Sequence, residues 1–484
     1  MNADTSKPLL IGGEWLRSSA PPLVSVNPAT GATNYEVHTA TAEQVEQAVL
    51  SATQAAAQAS WRGMQPPQRA AVLHRIGELM LRDAETFAEL QRIENGKVHA
   101  ECMVQVRSAA ATFRYYASVC ETLESALTPS RGNYLSMAVY EPYGVVVAIT
   151  PWNSPMTMEA QKVAPALAAG NAVILKPSEL TPSPALLLGR IALEAGLPPG
   201  LLNVLPGTGA AVGSALVAHA GVKMVSFTGG TASGRRIAVV AAQKLMPVAL
   251  ELGGKSPHIV FADADLDAAA DAVAGGIFEG SGQSCVAGSR LFVQRSVYEA
   301  FIEKLLAKAR GLKVGLPDRP ESKMGPIASF AHRQHIAGMV DAARAAGAEV
   351  LTGGGAPEDE ALSAGAFYLP TVVAGISNRS DIAQNEIFGP VVCAMVFDDE
   401  DDLIAQANDS VFGLASGIWT RDFPRAWRVA RALEAGTVWI NTYKQLSIAT
   451  PFGGFKDSGL GREKGTGGMR LYQQAKGIYF GLGG

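Results

Sequence analysis

Between residues 40 and 120, apolar side chains recur three and four positions apart in ATAEQVEQAVLSATQAA and QRAAVLHRIGELMLRDAETFAEL, which predicts a largely helical opening region. From Tyr143 the rhythm changes. GVVVAIT is a short, continuous, β-branched apolar run, followed by the helix-like MTMEAQKVAPALAAG and then by NAVILKPS, PALLLGRIALEAG and LLNVLPG. The alternation continues through AAVGSALVAHA, VKMVSFTG, TASGRRIAVVAAQKL and PVALELGG. Strands that are apolar throughout, separated by amphipathic helices, are what a parallel sheet produces, because crossover helices cover both of its faces. Residues 143–253 are therefore expected to form an open, doubly wound α/β sheet. A second alternating series, from PHIVFA through SRLFVQ, VYEAFIEKLLAKARG and VVCAMVF to TVWIN, predicts a second α/β unit. The segment 123–142 and the tail LYQQAKGIYFGLGG join neither series, as strand-like pieces that pair with another subunit do.

The chain has 484 residues, well above the ~100–200 of one typical domain, so two or three domains are expected. A hydrophobic share of 48% against 17% charged residues describes a densely packed globular chain. The formal charge of −4 and the lack of a long Lys/Arg run argue against nucleic acid or an anionic membrane surface as a partner. No apolar run reaches the ~18 residues that span a bilayer, and MNADTSKPLLIGGEWL has neither a signal h-region nor a transit pattern, so a cytoplasmic location is expected. The four cysteines, Cys102, Cys120, Cys285 and Cys393, are scattered without a CxxC, which suggests a reducing compartment. His99 and Cys102 stand three apart on a helix-like stretch, but no companion ligand pair follows, and no metal site is expected.

Chemistry gathers at strand ends. In FEGSGQSCVAG a single thiol, Cys285, lies among small residues whose backbone N–H groups are free to meet a ligand; the other reading is a small buried hydrophobe. Such a thiol, of ordinary pKa ~8.5, needs an electropositive setting to be thiolate at neutral pH. Glu251 in LELGGKSP closes an apolar strand, where a charge is expensive without a partner or a task. Asn153 in ITPWNSP could donate to a developing oxyanion or cap the helix that follows. GTGAAVG and GGTASG both follow strands, and the second opens a helix; neither is a G-x-G-x-x-G, and a phosphate-binding turn and a plain tight turn remain open for it. Lys176 and Glu179 in ILKPSE stand at the rim where open α/β sheets bind ligands. A carboxylate there accepts from ribose hydroxyls and repels a 2′-phosphate, favouring NAD over NADP; a pair of solvated charges is the alternative.

Taken together, ITPWNSP, LKPSE, FTGGTASG, LELGGKSP, GQSC, NEIFGPV and NTYKQLSIATPFGGFKDSGLGRE resemble the aldehyde dehydrogenase superfamily in order and spacing across essentially the whole chain. The resemblance implies a Rossmann-like cofactor domain (1–122 and 143–253), an α/β catalytic domain (254–455) and a small β oligomerisation arm (123–142 and 470–484) that builds a homodimer or homotetramer. It implies Cys285 as nucleophile, Glu251 as general base, and the Asn153 side chain with the Cys285 N–H as oxyanion hole. Lys162 and Glu463 match positions proposed to pass protons to and from the base. For the cofactor, NAD with NADP as an alternative, Lys176 and Glu179 correspond to ribose contacts and Gly209 to an adenine-side position. Gly229 and Gly230 match the pyrophosphate turn, Trp152 and Leu252 the cofactor pocket, and Glu386 and Phe388 a nicotinamide-ribose clamp.

The family usually carries serine where Gly230 stands and asparagine where Gly280 stands. The implied reaction is oxidation of a small-molecule aldehyde to the acid through a thiohemiacetal and a thioester hydrolysed by water. Acylation of coenzyme A is the alternative, against which Glu251 speaks, as its presence with Cys285 speaks against a catalytically silent homologue. A cofactor-free cysteine hydrolase would need an imidazole beside the thiol, and none of the seven histidines is near it in sequence. Trp419 and Tyr443 suggest an apolar or aromatic aldehyde pocket, and no arginine beside the cysteine marks a carboxylate-bearing substrate.

Overall fold

The computed structural model describes residues 6–483; residues 1–5 and 484, which the expected domain division includes, lie outside it. Five strands form the parallel centre of an eight-stranded sheet: Leu202–Val204, Ala172–Lys176, Val145–Ile149, Met224–Thr228 and Val248–Glu251, in that spatial order. The first strand in sequence, Val145–Ile149, lies in the middle, and the chain winds outward from it in both directions. Ala172–Lys176 and Val145–Ile149 are buried along their whole length, as the continuous apolar runs require. Helices Pro155–Ala168, Ser183–Glu194 and Thr231–Gln243 are among the crossovers. Winding in two directions opens a crevice at the carboxyl ends of the central strands, where ligands of such sheets bind.

The opening region holds helices Ala42–Ala57, Pro66–Arg82, Ala84–Asn95 and His99–Thr122. Ahead of them run four short strands, two of which, Leu9–Ile11 and Glu14–Leu16, extend the edge of the first sheet antiparallel. Runs this short are too brief for periodicity to register.

A seven-stranded sheet forms the second unit, in the order Glu349–Thr352, Thr371–Ala374, Val391–Phe397, Arg290–Gln294, Pro257–Val260, Ala415–Trp419 and Thr437–Ile440, with only the first strand antiparallel. The chain then returns. Gly459–Leu460 pairs with the edge of the first sheet, placing Gly459 opposite Glu251. The two segments that fit neither series pair with each other: Gln473–Gly481 lies antiparallel to Tyr134–Pro142, and Ala126–Thr128 adds a third strand. Leu127, Tyr479, Phe480 and Leu482 are exposed on it or beside it.

Candidate active site

The thiol of Cys285 sits on a loop between helix Leu266–Phe278 and strand Arg290–Gln294. Three consecutive residues, Gly280, Ser281 and Gly282, have φ of 62°, 57° and 68°. A Cβ at Gly282 would collide with the Gly389 carbonyl, so that position needs glycine for space as well as for φ, whereas one at Gly280 would meet only the movable end of Lys97. Where the family's asparagine is absent, the loop is held by other bonds. Glu101 Oε1 accepts from the Gly280 N–H at 2.8 Å, Ser281 Oγ donates to Gly325 O at 2.8 Å, and Gln283 Oε1 accepts from the Ala328 N–H at 2.9 Å.

Asn153 does not cap the helix that follows it. Its Nδ2 donates to Gln283 O at 2.9 Å, which brings the amide to the backbone two residues before Cys285. Burial pushes the Cys285 thiol up to about 12, with the Glu386 and Glu251 carboxylates adding to the effect and the Lys464 ammonium opposing it. The electropositive setting anticipated for the thiol is thus reduced to a cation outweighed by burial and two carboxylates. Lys464 is buried, has φ of 61°, and holds its Nζ 4.9 Å from the centre of the Phe452 ring, which packs in the same cluster as Cys285.

Glu251 is buried at the end of its strand, and its Oε2 has no hydrogen-bond partner among the described residues. Burial raises its carboxyl well above the ordinary range, the Glu463 charge raises it further, and Lys162 opposes. Lys162 Nζ donates to Glu463 Oε1 at 2.6 Å and to Ser226 Oγ at 3.1 Å, and Tyr472 Oη donates to Ser226 Oγ at 3.0 Å. Lys162, Ser226, Glu463 and Tyr472 are all almost completely buried, so this chain of bonds is a closed polar network joined electrostatically to Glu251.

On the cofactor side, Glu179, Gly209, Ser233 and Arg236 line a cleft of about 400 Å³. Lys176 Nζ lies 3.5 Å from Glu179 Oε2, and burial lowers the lysine's pKa against that carboxylate. Added Cβ atoms at Gly209 and Gly230 would meet only open space, while the Gly229 N–H donates to Glu251 O at 3.1 Å. Helix Thr231–Gln243 starts at Gly230 with no side-chain cap and no acidic residue in its first turn, leaving N–H groups free for an anion. Gly209 opens a π-turn, Gly209–Gly213. Leu252 packs on Gly234, and Glu386 Oε1 accepts from the Gly254 N–H at 3.0 Å. Trp152 stands edge-on to Phe388, whose φ is 55°, with ring centroids 5.4 Å apart.

These parts are close in space and far apart in sequence, a combination that a known fold would share throughout. The profile of the "Aldehyde dehydrogenase family" matches residues 15–478. The chain belongs to the aldehyde dehydrogenase family. A betaine aldehyde dehydrogenase of Cereibacter sphaeroides is 41% identical over 463 residues, covering 96% of this chain and 94% of its own. The crystal structure of betaine aldehyde dehydrogenase from Staphylococcus aureus in complex with NAD+ matches with a TM-score of 0.97 at 36% identity, covering 99% of this chain and 95% of that one. An aldehyde dehydrogenase from Bacillus cereus, solved as an E194S mutant, matches with a TM-score of 0.96 at 35% identity, covering 99% and 97%.

For an aldehyde dehydrogenase, the remaining sequence candidates resolve as follows. His258 packs beside the Cys285 loop, but its ring accepts from Trp419 Nε1 at 3.0 Å, stacks on Tyr443 at 4.2 Å, and is pushed by burial down to about 3. It is committed to the core and is no base for a hydrolase. Trp419 and Tyr443 are both buried, Tyr443 stacked on His258 and Trp419 bonded to it, and Tyr443 packs in the same cluster as Cys285 and Val286. His99 pairs with Glu85, Cys102 is buried, and no cluster of three metal-ligating side chains occurs among the described residues. Lys464, Ser226 and Tyr472 were missed; the lysine beside Glu463 in GREKG was a readable signal, whereas nothing marked the other two.

Proposed function

We propose that this protein oxidises an aldehyde to its carboxylic acid with NAD, using Cys285 for covalent capture and Glu251 for hydrolysis. The observation that carries the reading is the convergence of the Asn153 amide, the Cys285 loop and the buried Glu251–Glu463–Lys162 cluster at the carboxyl ends of the first sheet's strands.

The cleft fits a dinucleotide on its own terms: an uncapped helix start, glycines facing open space and a rim carboxylate form a donor and acceptor set for a pyrophosphate and a ribose. Lys176 and Glu179 would hold the adenosine ribose, Gly209 the adenine side, and Gly229 and Gly230 the pyrophosphate. Trp152, Leu252, Glu386 and Phe388 would hold the nicotinamide half. The chemistry NAD supplies when bound is hydride acceptance.

The Cys285 thiol gives up its proton, and the sulfur adds to the aldehyde carbonyl. Lys464 favours the thiolate; of the two carboxylates that act on the thiol, Glu386 is bonded to the Gly254 N–H, and Glu251 is assigned to take the proton. The resulting oxyanion is met by Asn153 Nδ2, which has a second hydrogen to donate, and by the Cys285 N–H, which bonds no other residue among those described. Once the adduct stands at the thioester level and Glu251 has handed the thiol's proton to its buried partners, it takes a second proton from water, hydroxide attacks, the C–S bond breaks, and the acid leaves with Cys285 returned as thiolate. Glu463 and Lys162 pass that proton onward. Residues 1–122 and 143–253 serve as the cofactor-binding domain and 254–455 as the catalytic domain.

Exposed apolar residues on the three-stranded sheet support segments 123–142 and 470–484 as an oligomerisation arm of a homodimer or homotetramer. Four unpaired thiols support a cytoplasmic setting, and among the described residues no helix is long and apolar enough to cross a membrane. Absorbance of reduced nicotinamide, followed for wild type and Cys285→Ala with NAD, with and without coenzyme A, tests the reading. Turnover with NAD alone that the substitution abolishes is the expected result; a requirement for coenzyme A overturns the hydrolytic step.

A further inference from the structure

A cavity of about 930 Å³ opens at the nucleophile loop, bounded by Ser284 and Val286 beside the cysteine, by Ser154 next to Asn153, and by Lys97, Glu279 and Lys444. It shares no lining residue with the cofactor cleft and is bounded by the residues on both sides of Cys285 in the chain. An aldehyde that reaches Cys285 through it is read by its walls.

Of the four lysines on those walls two are matched, and Lys323, which also has no ion pair among the described residues, is exposed. Lys97 Nζ stands 3.8 Å from Glu101, whose carboxylate also accepts the Gly280 N–H. Lys308 is paired with Asp271 at 2.5 Å. Lys444 differs from these. Its Nζ makes one hydrogen bond, to Gly275 O at 3.3 Å, and has no carboxylate within ion-pair distance among the described residues. Its backbone is left-handed, with φ of 56°, a conformation that a residue with a Cβ adopts only where the surroundings enforce it. The loop thus holds on the cavity wall an ammonium whose leading opposite charge, Glu279 on the same wall, lies beyond ion-pair distance.

Aromatic faces, which recognise quaternary ammonium groups, are not offered here. Tyr443 is stacked on His258 and donates its hydroxyl to Val286 O at 2.9 Å, Trp419 is bonded to His258, and Phe278, which bounds the cavity, is buried in the core. Betaine aldehyde, the substrate in the relatives' names, carries just such a cation.

We propose that this enzyme selects aldehydes bearing an anionic group, a carboxylate at the end remote from the carbonyl, and that Lys444 is the residue that recognises it. The inference rests on the aldehyde dehydrogenase reading given above and narrows its substrate class. Lys97, Glu101, Glu279 and Cys285 are the titratable groups facing Lys444, and burial lowers the ammonium to about 8, so it is charged at neutral pH and loses its charge above. The preference for an anionic aldehyde accordingly declines as pH rises through about 8.

The test compares kcat/KM, from NAD reduction, for three aldehydes of similar length: one ending in a carboxylate, its uncharged primary amide, and betaine aldehyde. Wild type is expected to favour the carboxylate over the amide by about tenfold, the size of one partly desolvated ion pair. Lys444→Met should bring that ratio near one, Lys444→Arg should keep it, and Lys444→Glu should turn the preference toward betaine aldehyde. The proposal is overturned if wild type favours betaine aldehyde, treats the carboxylate and the amide alike, or keeps its preference in Lys444→Met. Turnover of all three without regard to charge would leave the dehydrogenase reading intact and remove only this inference. No turnover of any of them would remove both. Should Lys444→Met fail to fold, the wild-type ratio and its pH dependence still decide.

Discussion

Substituting Lys162 by methionine isolates the largest electrostatic commitment in the site. Lys162 and Glu463 meet at 2.6 Å with side chains 0% and 2% exposed. Two unit charges at that separation attract by roughly 6 kcal/mol at an effective dielectric of ~20, and the desolvation of both ions offsets most of it. Removing the lysine alone therefore leaves a buried glutamate without its counter-charge, a loss of about 3–5 kcal/mol from a total stability on the order of 5–15 kcal/mol. Ser226 also loses one of its two donors, keeping the hydroxyl of Tyr472. Urea denaturation of Lys162→Met should show this loss. Adding Glu463→Gln, which is neutral and isosteric, should restore at least half of it, because the uncompensated charge is gone. A double-mutant cycle in which the two losses simply add would refute the reasoning, since it would mean that the ions do not feel each other through the interior. The double variant also separates stability from chemistry: refolded but slow in steady state, it would place the pair in proton transfer and not only in holding the strand ends together.

The remaining expectations concern the thiol's partners, the cofactor and pH. Glu251→Gln should slow the first turnover in stopped-flow NAD reduction, because the thiol loses its proton acceptor, and steady-state turnover should fall by about 10²–10⁴, the range of a lost general base; a steady state that stays fast excludes Glu251 as the base that activates water. Glu179→Gln removes the rim carboxylate while Arg236 stays in the same cleft, so kcat/KM for NADP relative to NAD should rise by about tenfold or more, and an unchanged ratio would detach Glu179 from cofactor choice. Glu94, fully buried and bonded by the Tyr35 hydroxyl at 2.6 Å, is raised by burial from 4.5 to about 7. The folded state holds that proton more tightly, so its contribution is complete below pH ~4.5 and is lost as pH rises through ~7, by about 3 kcal/mol in all. Glu94→Gln should flatten the slope of urea midpoints over that interval, and an unchanged slope would assign it to other groups such as Glu159.

What could be read from the sequence was whatever the chain states locally. Apolar runs marked both parallel sheets, and strand-end motifs marked Cys285, Glu251, Asn153 and Lys176, because such sheets present ligands at their strand ends. Contacts across the chain were not legible. That Asn153 bonds Gln283 instead of capping the next helix, and that Glu251 sits beside a strand, Gly459–Leu460, returning from beyond the second sheet, are contacts between distant parts of the chain. Ser226 and Tyr472 look like ordinary strand and helix-end residues until the fold brings them to Lys162. The surroundings of the aromatics were hidden for a related reason: Trp419 ends a strand and Tyr443 lies on the loop after the next one, and His258, far away in sequence, holds both. The thiol's electrostatics depended on burial and on Glu386, neither of which a motif conveys.

The returning strand also sets an order of events. On a ribosome, Val248–Glu251 emerges with one edge unpaired and stays so until the second sheet has been made and Gly459–Leu460 arrives to cover it. At about 5–20 residues per second that interval is roughly 10–40 s. During it, an exposed edge can recruit the wrong neighbour, and Glu251 stands without Glu463. The same delay is protective. Glu251 and Lys162 precede Cys285 in the chain, but Glu463 and Lys464 follow it, so the nascent thiol lacks the cation that favours its thiolate and the base lacks its buried partner. By withholding the last strand, the topology makes competence the final act of synthesis.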